Sequence, residues 1–239
     1  MNQPNIASRT EWLVARRALL AKEKEAVRQR DAISAGRREL PMVKVETDYI
    51  FEGPTGPQGL KDLFASRCQL IVYHFMFDPS WEEGCKSCSH FMDNVAGAVV
   101  HLGARQTSFA AISRAPIAKI EAFKKRMGWT FPWLSSSGNT FNYDFHATLD
   151  ADQGSVEYNY ASAAALLQAG KIWFAKGEMP GMSVFLQDGN AVYHTDSVYQ
   201  RGLDLFLNTY NCLDLTPLGR QEKNEPPQGW IRHHDKYPN

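Results

Sequence analysis

The sequence predicts an α/β fold with a central mixed sheet, on three observations. Residues 70–77 (LIVYHFMF) are an unbroken apolar run, the pattern of a strand buried on both faces. Strand-like stretches at 106–114 and 129–135 alternate with helix-like stretches at 90–102 and 116–127. That βαβαβ order implies parallel strands with helices on the sheet faces. Residues 182–194 then read as a hairpin, Ser183-Val184-Phe185-Leu186 pairing with Ala191-Val192-Tyr193 across Gln187-Asp188-Gly189-Asn190.

In chain order, residues 8–35 predict a long polar helix. Ser8 and Glu11 fit a capping box, and Gly36 is placed to end the helix. Trp12, Leu13, Leu19, Leu20, Ala26, Val27 and Ile33 form a broken apolar stripe, which predicts packing against the domain. The alternative for this helix is a dimerisation arm, giving a homodimer. Residues 41–51 carry Val43, Val45, Tyr49 and Phe51 at alternating positions, a strand pattern. Gly53-Pro54-Thr55-Gly56-Pro57 is a turn, and residues 60–64 a short helical turn. Cys68 reads as a small core residue. In the helix at 90–102, Phe91, Val95, Ala98, Val99 and Leu102 face inward. Pro116 opens the next helix and Gly128 closes it.

Residues 136–181 are polar and rich in Asn, Asp and Tyr, with a weak helix at 161–168. They read as an insertion covering one side of the sheet. Residues 199–213 predict a closing helix with Leu203, Phe206, Leu207 and Tyr210 on one face and a structural Cys212 at its end. From Thr216, prolines and polar residues predict extended chain on the surface, with His233 and His234 solvated. The chain thus divides into an N-terminal helical extension (1–40), an α/β domain (41–215, insertion at about 136–181) and an extended tail (216–239).

Composition narrows the function. The chain has 239 residues, with 26 basic and 26 acidic side chains. A zero net charge argues against a general nucleic-acid binder. No apolar run approaches a membrane span, and the N-terminus lacks a secretory h-region, so the expected compartment is the cytoplasm. Four cysteines, 68, 85, 88 and 212, are too few for a disulfide scaffold of this size.

The chemistry follows the first buried strand. After Asp78-Pro79-Ser80 come Trp81, Glu82, Glu83, Gly84 and then Cys85-Lys86-Ser87-Cys88, opening a helix. On a helix N-terminus the first cysteine is exposed and the second lies a turn inside. Free N–H groups and the helix dipole favour a thiolate at the first position, and Lys86 adds positive charge. Strand, loop, C-x-x-C, helix is the arrangement of a thioredoxin-like redox site. It refines the fold class to a thioredoxin-like three-layer fold with a central mixed sheet. Cys85 is the candidate nucleophile and Cys88 the resolving thiol. Trp81 is placed to shape the surface around them. His74 is either a proton-transfer partner for Cys88 or a hydrogen-bonded core histidine. Glu82 and Glu83 would oppose a thiolate if close.

The stretches HFMFDPSWEEGCKSCSHFMD, SVFLQDGNAVYHTDSVYQRGLDLF, LDLTPLGRQE and WIRHHDKY resemble a bacterial family of unknown function. That family is thioredoxin-like and catalogued as predicted dithiol–disulfide oxidoreductases. The resemblance implies a thioredoxin-like domain with extensions at both ends and supports Cys85 and Cys88 as redox thiols. Lys86 stands where a proline or another small residue is expected, which bears on the redox poise. Thioredoxins place a cis-proline before the hairpin, beside the cysteines; here Pro180 or Gly181 is expected to take that role.

The expected activity is thiol–disulfide exchange on a protein or small-molecule disulfide, with a separate electron donor, no cofactor, no nucleic acid and no membrane. Three rivals stay open. One is a thiol peroxidase of peroxiredoxin type, although no threonine of a Pro-x-x-x-Thr-x-x-Cys setting precedes Cys85. The second is a zinc or copper site from Cys85, Cys88 and His90, with His74 as a further donor. The third is a non-catalytic interaction module.

Overall fold

The computed structural model describes residues 5–154, 156–171, 176–223 and 226–238. In chain order its elements are α1 (Arg9–Arg37), β1 (Val43–Lys44), β2 (Ile50–Gly53), β3 (Gly56–Gly59), β4 (Gln69–His74), α2 (Lys86–Val95) and α3 (Val99–Gly103). Then come β5 (Thr107–Ser113), α4 (Ile117–Arg126), β6 (Trp133–Ser135), α5 (Phe141–Asp144), β7 (Thr148–Leu149), β8 (Glu157–Tyr158) and β9 (Ala161–Ser162). The last are α6 (Ala163–Gln168), β10 (Gly177–Glu178), β11 (Gly181–Asp188), β12 (Ala191–Tyr199) and α7 (Asn208–Leu213).

Among the described residues the main sheet has the order β1-β12-β11-β4-β5-β6-β2-β3. β4, β5 and β6 run parallel, as the βαβαβ order requires. β11 joins β4 antiparallel and turns into β12 through Gly189-Asn190. Gly189 has φ +55°, which an L side chain adopts only with strain. The result is a central mixed sheet of thioredoxin-like arrangement.

Period-two alternation divides β4 between two cores. Ile71 and Tyr73 face one side with Phe91, Ile120, Phe123, Trp133 and Leu203. Leu70 and Val72 face the other with Phe51, Phe64, Ile112, Phe141 and Phe185. The first core is covered by α2, α4, α7 and the C-terminal segment, the second by the 3-10 turn Asp62–Phe64 and α5. These are the three layers. Leu149, Tyr158, Leu166, Met179 and Tyr199 form a smaller third cluster.

Several elements differ from the sequence expectation. α1 forms with its capping box, but it runs through Gly36 and buries no residue. Most of its apolar stripe lies in solvent: Trp12, Leu19, Leu20, Val27 and Ile33 are exposed, and Leu13 is half-buried. The strand at 41–51 is two strands at opposite ends of the sheet, β1 beside β12 and β2 between β6 and β3. The helix at 90–102 breaks at a 3-10 turn, Ala96–Ala98, around Gly97. The closing helix is a 3-10 stretch, Gln200–Phe206, followed by the short α7. Cys68 is exposed rather than a core residue, and Cys212 is exposed as well. No helix among the described residues is long and apolar enough to cross a membrane.

Candidate active site

The site is built where β4 ends and the chain turns back into α2. The Asp78 carboxylate accepts from the Ser80 N–H (2.8 Å) and hydroxyl (2.6 Å), fixing the turn. The loop then returns to the sheet, where the Cys85 N–H donates to the Met76 carbonyl at 3.1 Å. Gly84 permits this approach. A Cβ there would lie 2.7 Å from Phe75 Cε1 and 3.0 Å from Phe123 Cε1. Cys85 is the N-cap of α2, and its carbonyl accepts the helix's first bond, from the Ser89 N–H at 2.9 Å.

The two thiols sit in opposite environments. Cys85 is half-buried and Cys88 fully buried, both as free thiols. The pKa of Cys85 is lowered, first by the Cys88 thiol donating to it and then by the Cys88 and Ser87 backbone N–H groups, against the effect of burial. Burial pushes the Cys88 thiol well up, and the neighbouring Cys85 pushes it further; the Tyr73 hydroxyl pulls it back. Tyr73 is buried and stacks on Phe91 with centroids 4.1 Å apart.

The other predicted site residues are placed as follows. Lys86 is exposed and its ammonium donates to the Gly229 carbonyl at 3.2 Å, so it is committed to the tail and is not among the causes that lower Cys85. His74 lies on the sheet face opposite the cysteines, stacked on Phe141 and bonded through Nε2 to Ser183 Oγ at 2.8 Å. Burial holds its pKa down at about 3. It is a neutral core histidine and does not reach Cys88. Trp81 is partly exposed, and its carbonyl accepts from Lys119 Nζ at 2.8 Å. Glu83 is held away from the thiols by Arg126 (2.6 Å) and Lys236 (2.6 Å).

No cis peptide bond occurs among the described residues, so Met179–Pro180 is trans and the cis-proline expectation is corrected. Pro180 nonetheless lies beside the dithiol, its carbonyl accepting from the Tyr158 hydroxyl at 2.8 Å. Gly181 serves packing: a Cβ there would come within 2.7 Å of the Tyr199 ring. His90 does not join the cysteines. It is buried edge-on to Tyr210 and Trp230, with neither ring nitrogen hydrogen-bonded among the described residues. No group of three or more His, Cys, Asp or Glu side chains among the described residues is arranged to hold a metal, so the zinc or copper set is corrected.

A groove of about 630 Å³ reaches the dithiol at Ser87 and Cys88. Tyr73, Tyr158 and Gln200 line it, and sequence reading singled out none of them for the site. Tyr73 was legible, because strand alternation puts it, and not His74, on the face that α2 covers. Nothing local in the sequence marks Tyr158 or Gln200. The C-terminal segment is expected from sequence as extended chain on the surface with His233 and His234 solvated, and His234 is exposed. Ile231 and His233 are instead buried, and His233 is wedged against the loop before Cys85. Arg126 donates to His233 Nδ1 (2.8 Å), so the Nε2–H donates to the Gly84 carbonyl (2.9 Å).

Fold and site together define a thioredoxin-like α/β protein with a vicinal dithiol at a helix N-terminus. The chain belongs to the family described as "Bacterial protein of unknown function (DUF899)", whose model matches residues 1–237. No curated protein matches it. Among solved structures it is similar to peroxidoxin BcpB from Mycobacterium tuberculosis, at 14% identity and TM-score 0.46, covering 73% of this chain and 96% of that one. It is also similar to peroxiredoxin Q from Xanthomonas campestris, at 10% identity and TM-score 0.47, covering 72% and 97%.

Proposed function

We propose that the protein is a dithiol–disulfide oxidoreductase in which Cys85 attacks and Cys88 resolves. The observation that carries this reading is the pairing of a half-exposed Cys85 at the α2 N-cap with a buried Cys88 one turn inside. In the first step the Cys85 thiolate attacks one sulfur of a substrate disulfide. That S–S bond breaks, and the departing thiolate takes a proton from water. Cys88 then gives up its proton and attacks Cys85 Sγ, the mixed disulfide breaks, and the second substrate thiol leaves. Two electrons pass to the substrate, and a dithiol reductant returns the pair to its starting state.

The test is a redox titration of the pair, read by alkylation and mass spectrometry. A single two-electron transition that disappears in Cys85→Ser is the expected result, and its midpoint sets the direction of electron flow. Absence of a Cys85–Cys88 disulfide at every poise refutes the proposal. Rapid sulfenic acid formation at Cys85 with peroxide, without such a transition, identifies a peroxidase instead.

A further inference from the structure

We propose that α1 is a self-association surface. Two copies of this chain pair their α1 helices antiparallel, in a register that sets Arg16 of each against the partner's Glu23.

α1 runs for 29 residues and buries none of them. A helix in a protein is held mainly by packing an apolar face, and the face of this one is unused by its own domain. Trp12, Leu19, Ala26 and Ile33 recur every seven residues, and Leu13, Leu20 and Val27 form a second row at the same interval. Trp12, Leu19, Leu20, Val27 and Ile33 are each at least 40% exposed. An interval of seven keeps such a stripe on one side along the whole helix, which is the spacing of helices packed on one another.

A charged row lies between the two apolar ones. Arg16 stands four residues after Trp12 and three after Leu13, and Glu23 stands in the same way to Leu19 and Leu20. Arg16 donates to Glu23 of its own chain through Nη2 at 2.9 Å, while its Nη1 is shielded from solvent and has no acceptor among the described residues. The midline of the stripe thus carries one positive and one negative side chain, one heptad apart. A parallel pair in register sets Arg16 against Arg16 and Glu23 against Glu23. An antiparallel pair centred between Leu19 and Leu20 sets Arg16 against the partner's Glu23 twice, and supplies the unpaired Nη1 with a carboxylate. The same register meets Leu19 and Leu20 with their own copies, Trp12 with the partner's Ala26, and Leu13 with the partner's Val27. Its overlap, residues 8–31, is about 36 Å long. By two-fold symmetry a second copy supplies opposite charge at both places at once. A lipid surface would instead have to take the Glu23 carboxylate, at the centre of the stripe, out of water.

The test is sedimentation equilibrium of the full-length chain across the micromolar range. The expected result is the mass of two chains. Arg16→Glu and Glu23→Arg each leave the midline with a single sign of charge, so each is expected to raise the dimer dissociation constant about tenfold or more. Both positions lie on a helix that buries no residue, so the α/β domain keeps its fold. Mixing the two variants restores opposite charge across the pair, although neither chain keeps its own Arg16–Glu23 bond, and a two-chain species is expected to return. A parent chain that stays single throughout overturns the proposal, and its co-flotation with phosphatidylglycerol vesicles would assign the stripe to a membrane surface. A dimer that persists unchanged in both variants is parallel or lies on another face, and overturns the proposal as well. So does a mixture of the two variants that remains single chains.

Discussion

Cys85 and Cys88 are one helical turn apart, yet the Cys88 thiol and then the N–H groups of the helix N-terminus favour a thiolate at Cys85, while burial opposes one at Cys88. Thiolate, not thiol, reacts with alkylating agents. The iodoacetamide rate at Cys85 should therefore rise through about pH 7 and level off above it, while Cys88 stays unlabelled in the folded protein. An inflection near the ordinary thiol value would show that neither the Cys88 thiol nor the N-cap acts on Cys85. Tyr73 contributes its hydroxyl on the Cys88 side, and that hydroxyl lowers the Cys88 pKa. Tyr73→Phe should slow closure of the Cys85–Cys88 disulfide and lower stability by about 1 kcal/mol. Stopped-flow oxidation and urea unfolding measure the two effects. Glu178 offers a separate test by pH. It accepts from Arg114 (3.0 Å) and Thr148 (3.1 Å), but burial raises its pKa from 4.5 to about 7. Between those values the folded state binds more protons than the unfolded one, so stability is full below pH 4.5 and falls as pH rises through 7. Thermal melts of Glu178→Gln across this window should be flatter than those of the parent protein. Parallel profiles would rule Glu178 out as the source.

At the scale of elements, α1 shows how local signals and tertiary packing separate. Its capping box closes reciprocally, with the Glu11 N–H on Ser8 Oγ at 3.3 Å and the Ser8 N–H on Glu11 at 2.9 Å. None of its residues is buried, and Arg37 pairs with Asp196 of the sheet at 3.4 Å. Exposed pairs of this kind add little. Removal of residues 1–38 should therefore shift Tm by less than about 2 °C, below the effect of 1 kcal/mol in a domain of roughly 200 residues. A larger drop in Tm would show that α1 is held by contacts beyond this pair. β4, the C-x-x-C and α2 were legible because each is contiguous and strongly patterned. The split of residues 41–51 was not, because alternation gives a strand's faces and not its neighbours. The break after Tyr199 was equally hidden. Leu203, Leu207 and Tyr210 keep helical spacing, while the turn at Gln200 takes a left-handed conformation that no glycine announces. Of the two readings of His74 the hydrogen-bonded core histidine holds, because alternation along β4 puts its ring on the face away from Cys88.

On the scale of the whole molecule, the last twelve or so described residues close the fold over its own reactive loop. Ile231 is 1% exposed in the core that holds Cys88 and Phe123. Glu222 accepts from the Tyr210 hydroxyl (2.6 Å), the Gln228 N–H (2.9 Å) and the Trp230 indole (2.9 Å), pinning the segment where it turns inward. His234 bonds Asp93 on α2 at 2.8 Å, and Asp235 meets Arg126 at 3.0 Å. These contacts flank both ends of the dithiol's helix, so stability and site geometry are linked through a stretch that composition alone marks as loose tail. Ile231→Ala opens a cavity in the main core and should cost about 2–4 kcal/mol in urea unfolding. His233→Ala leaves the Gly84 carbonyl without its partner and removes one of the three partners of the Arg126 guanidinium. It should cost about 1–3 kcal/mol and also speed hydrogen exchange of the Cys85 and Ser89 amides. The two variants separate the possibilities. If Ile231→Ala destabilises while His233→Ala leaves those amides protected, the segment is core filling only. Faster exchange at Cys85 and Ser89 in His233→Ala, with the rest of the sheet still protected, would show that the chain terminus sets the order of the first turn of α2, where the redox chemistry is proposed to occur.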